Sequence, residues 1–285
     1  MQYVQDLQRT RCRFYRTLNE GELKGDTKLK DFLTKTAGVV LDLIYPPALY
    51  CICCGKIIDA SRPYRLCNDC MDSMKWIGAR TCLKCGKRLT EHNPGNVCFS
   101  CREHPHQFDR GYTCTEYGTH ERAIVFALKY DGRADIAETI GEIMADRMLA
   151  EFTNDELTGM YDVVLPVPVH QHKIRTRGYN QAALIAVGFS GRTGVISDAG
   201  ILVRVKETHV MRSLSPDQRR ENIRGAFAVR KHRAEELRGR NILLIDDIYT
   251  TGATIDEIAS LLKKAGASRV DFLSFASGAD MVKGE

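Results

Sequence analysis

Two stretches of the sequence hold residues whose type and spacing could do chemistry. The first is 242–254, ILLIDDIYTTGAT, where an apolar run ends in the paired carboxylates Asp246 and Asp247. The chain then turns through Thr250, Thr251, Gly252 and Ala253 into a helix expected to open at Thr254. At the carboxyl end of a parallel strand, exposed amides and the next helix N-terminus favour an anion, and a glycine lets the backbone approach it closely. Small hydroxyl side chains add donors without blocking a phosphate. The two acids cannot share that phosphate, so they require a separate partner such as ribose hydroxyls or a magnesium ion. A Walker-type nucleotide site is excluded, because no G-x-x-x-x-G-K-S/T loop occurs in the chain.

The second stretch holds four C-x-x-C pairs: Cys51 with Cys54, Cys67 with Cys70, Cys82 with Cys85, and Cys98 with Cys101. The last two pairs repeat the first two at an offset of 31 residues, and Gly55-Lys56 recurs as Gly86-Lys87. Two thiolates three residues apart grip one zinc, and a second pair completes a tetrahedral four-sulfur site with bonds of about 2.3 Å. A duplicated unit is expected to close its own site. That assigns Cys51, Cys54, Cys67 and Cys70 to one zinc and Cys82, Cys85, Cys98 and Cys101 to another, with a crossed pairing of the first and third pairs left open. Protein sulfur fills every position, so both zincs are expected to be structural. Cys12, Cys53 and Cys114 fall outside the repeat.

The elements that must position these residues follow from pattern and length. At 285 residues, the chain has room for one ordinary domain and a smaller module. Residues 1–44 read as a polar lead with a short helix at 33–44, and 45–108 as a Cys-rich module too poor in apolar residues to fold without a staple. Residues 109–285 read as alternating strands and helices. Strands are expected at 111–117, 161–165, 201–205, 241–245 and 270–275, and helices at 121–130, 135–152, 180–188, from Ser215 onward and at 254–265. This order implies an α/β fold with a mostly parallel sheet covered by helices on both faces. No apolar run is long enough to span a membrane, and no secretory signal is visible, so a cytoplasmic protein without membrane insertion is expected. The net charge of +5 is unevenly placed: residues 170–240 hold 15 Lys and Arg against 6 Asp and Glu. Such a stretch suits a polyanion, either a phosphorylated small molecule or nucleic acid.

Residues 242–254 resemble the phosphoribosyl-pyrophosphate (PRPP) motif of type I phosphoribosyltransferases. The wider chain resembles the ComF family of competence proteins through the paired zinc ribbons, Lys129-Tyr130 with Gly132, the PVPVH turn at 166–170, the RGYNQ run at 177–181, and Ser213-Leu214-Ser215 with Arg219 and Asn222. The resemblance implies a type I phosphoribosyltransferase-like fold preceded by a double zinc ribbon. Asp246 and Asp247 would then hold the ribose hydroxyls, and Thr250, Thr251, Gly252, Ala253 and Thr254 would cradle the 5′-phosphate. The turn with Val169 and His170 would form the pyrophosphate loop, joined by Lys173, Arg177 and Arg219, with 213–226 as a hood and magnesium bound alongside PRPP. It further implies a role in DNA uptake, with single-stranded DNA and an uptake helicase or channel component as partners. Turnover would displace pyrophosphate from C1 of ribose by a nitrogen nucleophile; the alternative is a DNA-binding or adaptor protein without turnover. Tyr64, Trp76, Phe99 and Tyr179 are the aromatics available for base stacking.

Overall fold

A computed structural model describes residues 49–93, 95–208 and 216–280. The expected helix at 33–44, Cys12, and the residues Ser213, Leu214 and Ser215 at the start of the hood lie outside them.

The cysteine module folds as two copies of one unit, and its hydrogen bonds repeat at the sequence offset. Cys51 N–H donates to the Lys56 carbonyl and Cys82 N–H to the Lys87 carbonyl, both at 2.8 Å. Isolated bridges Tyr50 with Ile57 and Thr81 with Arg88 close the two knuckles. Gly55 and Gly86 turn them at φ +74° and +73°, a left-handed conformation that a side chain disfavours. Short helices α1 (Asn68–Ser73) and α2 (Phe99–Glu103) hold the last cysteine of each unit, Cys70 and Cys101, with Cys67 and Cys98 as their N-caps.

Beyond the module, β1 (Gly111–Glu116) leads into α3 (Thr119–Tyr130), α4 (Ile136–Leu149) and α5 (Asn154–Met160). Next come β2 (Val163–Pro166), α6 (Gln171–Arg177), α7 (Gln181–Thr193) and β3 (Leu202–Arg204). The chain continues through α8 (Pro216–Ile223), β4 (Phe227–Val229), β5 (Asn241–Tyr249), α9 (Ala253–Lys264) and β6 (Arg269–Ser277). The main sheet is four-stranded and parallel in the order β1-β6-β5-β2, while β3 and β4 form a separate antiparallel pair. The short polar helices α5 and α6 escape the sequence reading because they carry no apolar period.

Two apolar clusters sandwich the sheet, and strand alternation distributes β5 between them. Leu243 and Ile245 join Ile124, Leu128, Met144 and Ile185 of α3, α4 and α7. Ile242 and Leu244 join Ile258 of α9, together with Phe108 and Phe272. Each cysteine unit serves one face: Cys51, Ile52, Cys67 and Cys70 belong to the first cluster, and Cys82, Cys85 and Cys98 to the second. The module therefore clamps the β1 edge of the sheet. Among the described residues, no helix is long and apolar enough to cross a membrane.

Candidate functional site

The strand that carries the acids runs further than its apolar pattern suggests. Expected to stop at Ile245, β5 continues to Tyr249, since Ile248 and Tyr249 pair with Ala276 and Ser277 of the equally long β6. The acids therefore sit inside the ladder. Asp247 continues the row of Leu243 and Ile245 toward α3 and α7, where the Lys129 ammonium pairs with it; its side chain is 3% exposed. Gln181, the last residue of RGYNQ, hydrogen-bonds the same carboxylate, and Arg177 donates to Gln181 Oε1. The rest of that run is equally committed. Gly178 ends α6 at φ +92°, Tyr179 Oη donates to the Leu128 carbonyl, and Asn180 caps α7 while donating to Val167 O at 3.2 Å.

The two carboxylates are electrostatically unequal. Burial, then the charge of Asp247, pushes the Asp246 carboxyl well above the usual range. Burial also opposes ionisation of Asp247, but Lys129 and hydrogen bonds from Asp246, Lys129 and Gln181 outweigh it and hold the group below its ordinary value. Asp247 N–H closes a local bond to Asp246 Oδ1 at 2.9 Å. Among the described residues, Lys129 and Arg204 face the acids, and Lys173 and Arg177 stand beside these cations. Lys129 is raised by the acids despite burial, whereas Lys173 is depressed by desolvation and by Arg204, Arg177 and Lys129. Arg204, on β3, is depressed by burial, with Asp246 opposing. Even with Glu207 acting on Lys173, the described cations outnumber the acids here and leave a positive field suited to a polyanion.

Beside the acids, α9 opens at Ala253 with Gly252 as its N-cap, one residue before the expected start. Thr250 is exposed, Thr251 and Thr254 are half-buried, and Gly252 and Ala253 are buried. The free first-turn amides of a 12-residue helix end here. Gly252 sits at φ +83°, and a Cβ there would lie 2.9 Å from both His106 Cε1 and Tyr249 Oη. Gly252→Ala should therefore cost about 1 to 2 kcal/mol in thermal or denaturant melts from the left-handed backbone alone. The PVPVH turn leaves β2 next to this loop, with Val167 N–H bonded to Ile245 O at 2.9 Å. Val169 and His170 are half-buried, and His170 caps α6, which carries Lys173 and Arg177. On α8, Arg219 is half-buried and Arg220 donates to His104 Nε2 at 3.4 Å; just past the helix, Arg224 pairs with Glu221.

Nothing along the chain marks Lys129, Arg204 or Gln181 as neighbours of the acids. Only the fold brings them to the acids, although Lys129 and Gln181 lie within the runs that carried the resemblance. The aromatics named for stacking are engaged elsewhere. Tyr64 Oη donates to Asp146 at 2.9 Å, Trp76 Nε1 to the Met71 carbonyl at 3.0 Å, and the Phe99 ring lies under the Arg102 guanidinium.

The cysteines meet as two tetrads, Cys51-Cys54-Cys67-Cys70 and Cys82-Cys85-Cys98-Cys101, with all sulfurs of a set within 4.8 Å of one another. The pairing is within each unit and not crossed. Sulfurs of Cys54 and Cys67, and of Cys85 and Cys98, stand 3.6 Å apart. That is close to the roughly 3.8 Å edge of a tetrahedron with 2.3 Å zinc–sulfur bonds, so the donor sets fit zinc. Cys114 is fully buried, and burial pushes its thiol up to about 12.

Comparison with known proteins matches the double zinc ribbon domain family to residues 40–102 and the phosphoribosyl transferase domain family to residues 189–282. The chain is 35% identical to Competence protein F of Haemophilus influenzae over 115 residues, 40% of this chain and 50% of that protein. It is 29% identical to DNA utilization protein YhgH of Escherichia coli over 172 residues, 60% of this chain and 73% of that protein. The chain thus spans half the length of the first relative and about three-quarters of the second. Among solved structures, the glutamine PRPP amidotransferase from B. subtilis complexed with ADP and GMP aligns with a TM-score of 0.34 at 19% identity, covering 52% of this chain and 30% of that one.

Proposed function

We propose that this chain, a ComF-family protein by its double zinc ribbon and phosphoribosyltransferase domain, binds PRPP with magnesium at the carboxyl ends of β2 and β5 in the service of DNA handling. The observation that carries this reading is the placement of the twin acids, the cations Lys129, Lys173, Arg177 and Arg204, and a threonine-rich turn opening a helix at the carboxyl ends of β2 and β5. In that arrangement Asp246 and Asp247 hold the ribose diol, residues 250–254 receive the 5′-phosphate, and the 166–170 turn with Lys129, Lys173, Arg177 and Arg204 receives the pyrophosphate. Magnesium bound with PRPP would offset the pyrophosphate charge that these cations do not. If turnover occurs, no covalent nucleophile is needed. The protein orients the sugar, stabilises the departing pyrophosphate and excludes water while a nitrogen nucleophile attacks C1. Titration calorimetry of the full chain with PRPP and magnesium tests the binding, and pyrophosphate release against a panel of bases and amines tests turnover. Absence of any PRPP heat or thermal shift would refute the assignment.

A second reading, single-stranded DNA binding with or without turnover, is favoured by one surface feature. Arg122, Phe126 and Tyr130 form an exposed stripe four residues apart along α3, with the two aromatics 46% and 68% exposed. Their rings stand 4.8 Å apart, and the Arg177 guanidinium lies 5.7 Å from the Tyr130 ring, which joins the stripe to the cations beside the acids. Bases stack on such rings at about 1 to 3 kcal/mol each. Replacing Phe126 and Tyr130 by Ala should therefore weaken oligo(dT) binding at least tenfold in fluorescence anisotropy while leaving PRPP binding in place. Unchanged oligonucleotide affinity would refute the stripe.

A further inference from the structure

Residues 104–108 leave the second cysteine tetrad immediately after Cys101 and α2, and they pass beneath the turn at 250–254. His106 Nδ1 lies 2.6 Å from Asp256 Oδ2, and Gln107 N–H donates to Asp256 Oδ1 at 2.9 Å. Both oxygens of one first-turn carboxylate of α9 are thus held by this strap. The His106 side chain is 1% exposed and stacks on Phe108 at 4.7 Å. Phe108 in turn meets Phe272 and Tyr249 edge-on. The imidazole also fills the space beside Gly252 where a side chain would stand. Further along the same strap, His104 accepts from Arg220 of α8.

A structural role alone does not explain a histidine here. Among the described residues its buried Nε2 has no hydrogen-bond partner, a cost that an apolar ring of similar shape would remove. What histidine offers and phenylalanine does not is the Nδ1 bond that holds Asp256. Held by the Gln107 N–H alone, the Asp256 carboxylate is freer to turn back onto the first-turn amides of its own helix, as acidic residues at helix starts do. There it would compete with an incoming anion for the same donors.

We infer that His106 is a positioning residue for the anion-binding turn, and that through it the second zinc site and the phosphate site are energetically coupled. The inference rests on the reading that residues 250–254 receive a phosphate. Coupling of this kind is reciprocal. If the zinc-anchored strap orders the turn, an anion bound in the turn must make the second zinc harder to remove. The first tetrad packs on the opposite face of the sheet and provides an internal control.

The test uses the full zinc-loaded chain with ribose 5-phosphate and, separately, PRPP with magnesium. Affinities come from calorimetry, and zinc release to a chromophoric chelator is followed with and without ligand. His106→Phe should weaken both ligands about tenfold, within the usual 5- to 150-fold span of coupling, without lowering the melting temperature. His106→Asn, whose amide can replace the Nδ1 donor, should recover most of the affinity. In the wild type, ligand should slow release of one of the two zincs, and His106→Phe should lose that protection. Wild-type affinity in His106→Phe, or a ligand effect that is absent or equal at both zincs, overturns the coupling. A wild-type protein that binds neither ligand overturns the phosphate reading beneath it, and the inference with it.

Discussion

Replacing Asp246 by Asn will raise the melting temperature of the ligand-free protein and abolish the further rise caused by PRPP with magnesium. Asp246 is enclosed beside Asp247, so its charged form is opposed by burial and by its neighbour. An amide of the same shape removes that repulsion and keeps the local bond from Asp247 N–H. It also removes the carboxylate proposed to bind the diol, so stability and ligand response should move in opposite directions. The pH dependence has a definite sign. A carboxyl whose folded pKa is raised takes up its proton first in the folded state, so stability is gained as pH falls through the raised folded value toward the unfolded value. Melts of the wild type should show that gain on mild acidification, and those of the Asp246→Asn variant should lack it. The companion change, Asp247→Asn, should behave in the opposite way. It leaves the half-buried Lys129 ammonium with Asp246 alone beside it and should cost about 1 to 3 kcal/mol. A protein in which both amides destabilise equally, or in which Asp246→Asn keeps its PRPP response, would contradict this account of the pair.

Removing zinc should have the other large effect. The protein as isolated should contain two zincs per chain by elemental analysis. A strong chelator should unfold the 49–103 region outright, because structural zinc sites contribute about 10 to 16 kcal/mol in apparent binding and whole domains are stable by only about 5 to 15. The two sites are not equivalent. Cys85 and Cys98 are fully buried in the cluster that holds Phe108, Phe272 and α9, whereas Cys54 is exposed. Gly86 of the second knuckle is pressed against β1, where a Cβ would lie 2.6 Å from Gly111 O. Cys85→Ser should therefore lose one zinc, lower the melting temperature sharply and weaken ligand binding at the 250–254 turn. Cys54→Ser should also lose one zinc, with a smaller effect on the ligand. Equal consequences from the two variants would show that the second ribbon does not buttress the sheet.

Several of these features are legible without coordinates. The 31-residue offset announces two equal units, and the structure repeats it down to paired hydrogen bonds, because zinc ligation is local and demands the same turn each time. The strand-to-helix turn at 250–254 is equally legible, since it rests on contiguous residues. Element boundaries are less so. The apolar run of β5 ends at Ile245, yet the strand runs on to Tyr249 because β6 supplies ladder partners that no local pattern encodes. Helices α5 and α6 are hidden for the complementary reason: they are short and polar, α5 burying only Leu157 and α6 no residue, so they carry no apolar period to read.

What the sequence determined by itself is whatever depends on neighbours along the chain: the cysteine pairs, the adjacent acids, the threonine-glycine turn and the alternation of strands with helices. The tertiary structure alone decided which charges meet. Lys129 lies 118 positions from Asp247, and Arg204 42 from Asp246; both reach the acids only because α3 and β3 are brought to the same end of the sheet. His106 reaches Asp256 across 150 residues. Electrostatic and hydrogen-bond energies fall off within a few ångströms through space and take no account of distance along the chain, so the partners that set these ionisation states become defined only once the sheet has closed.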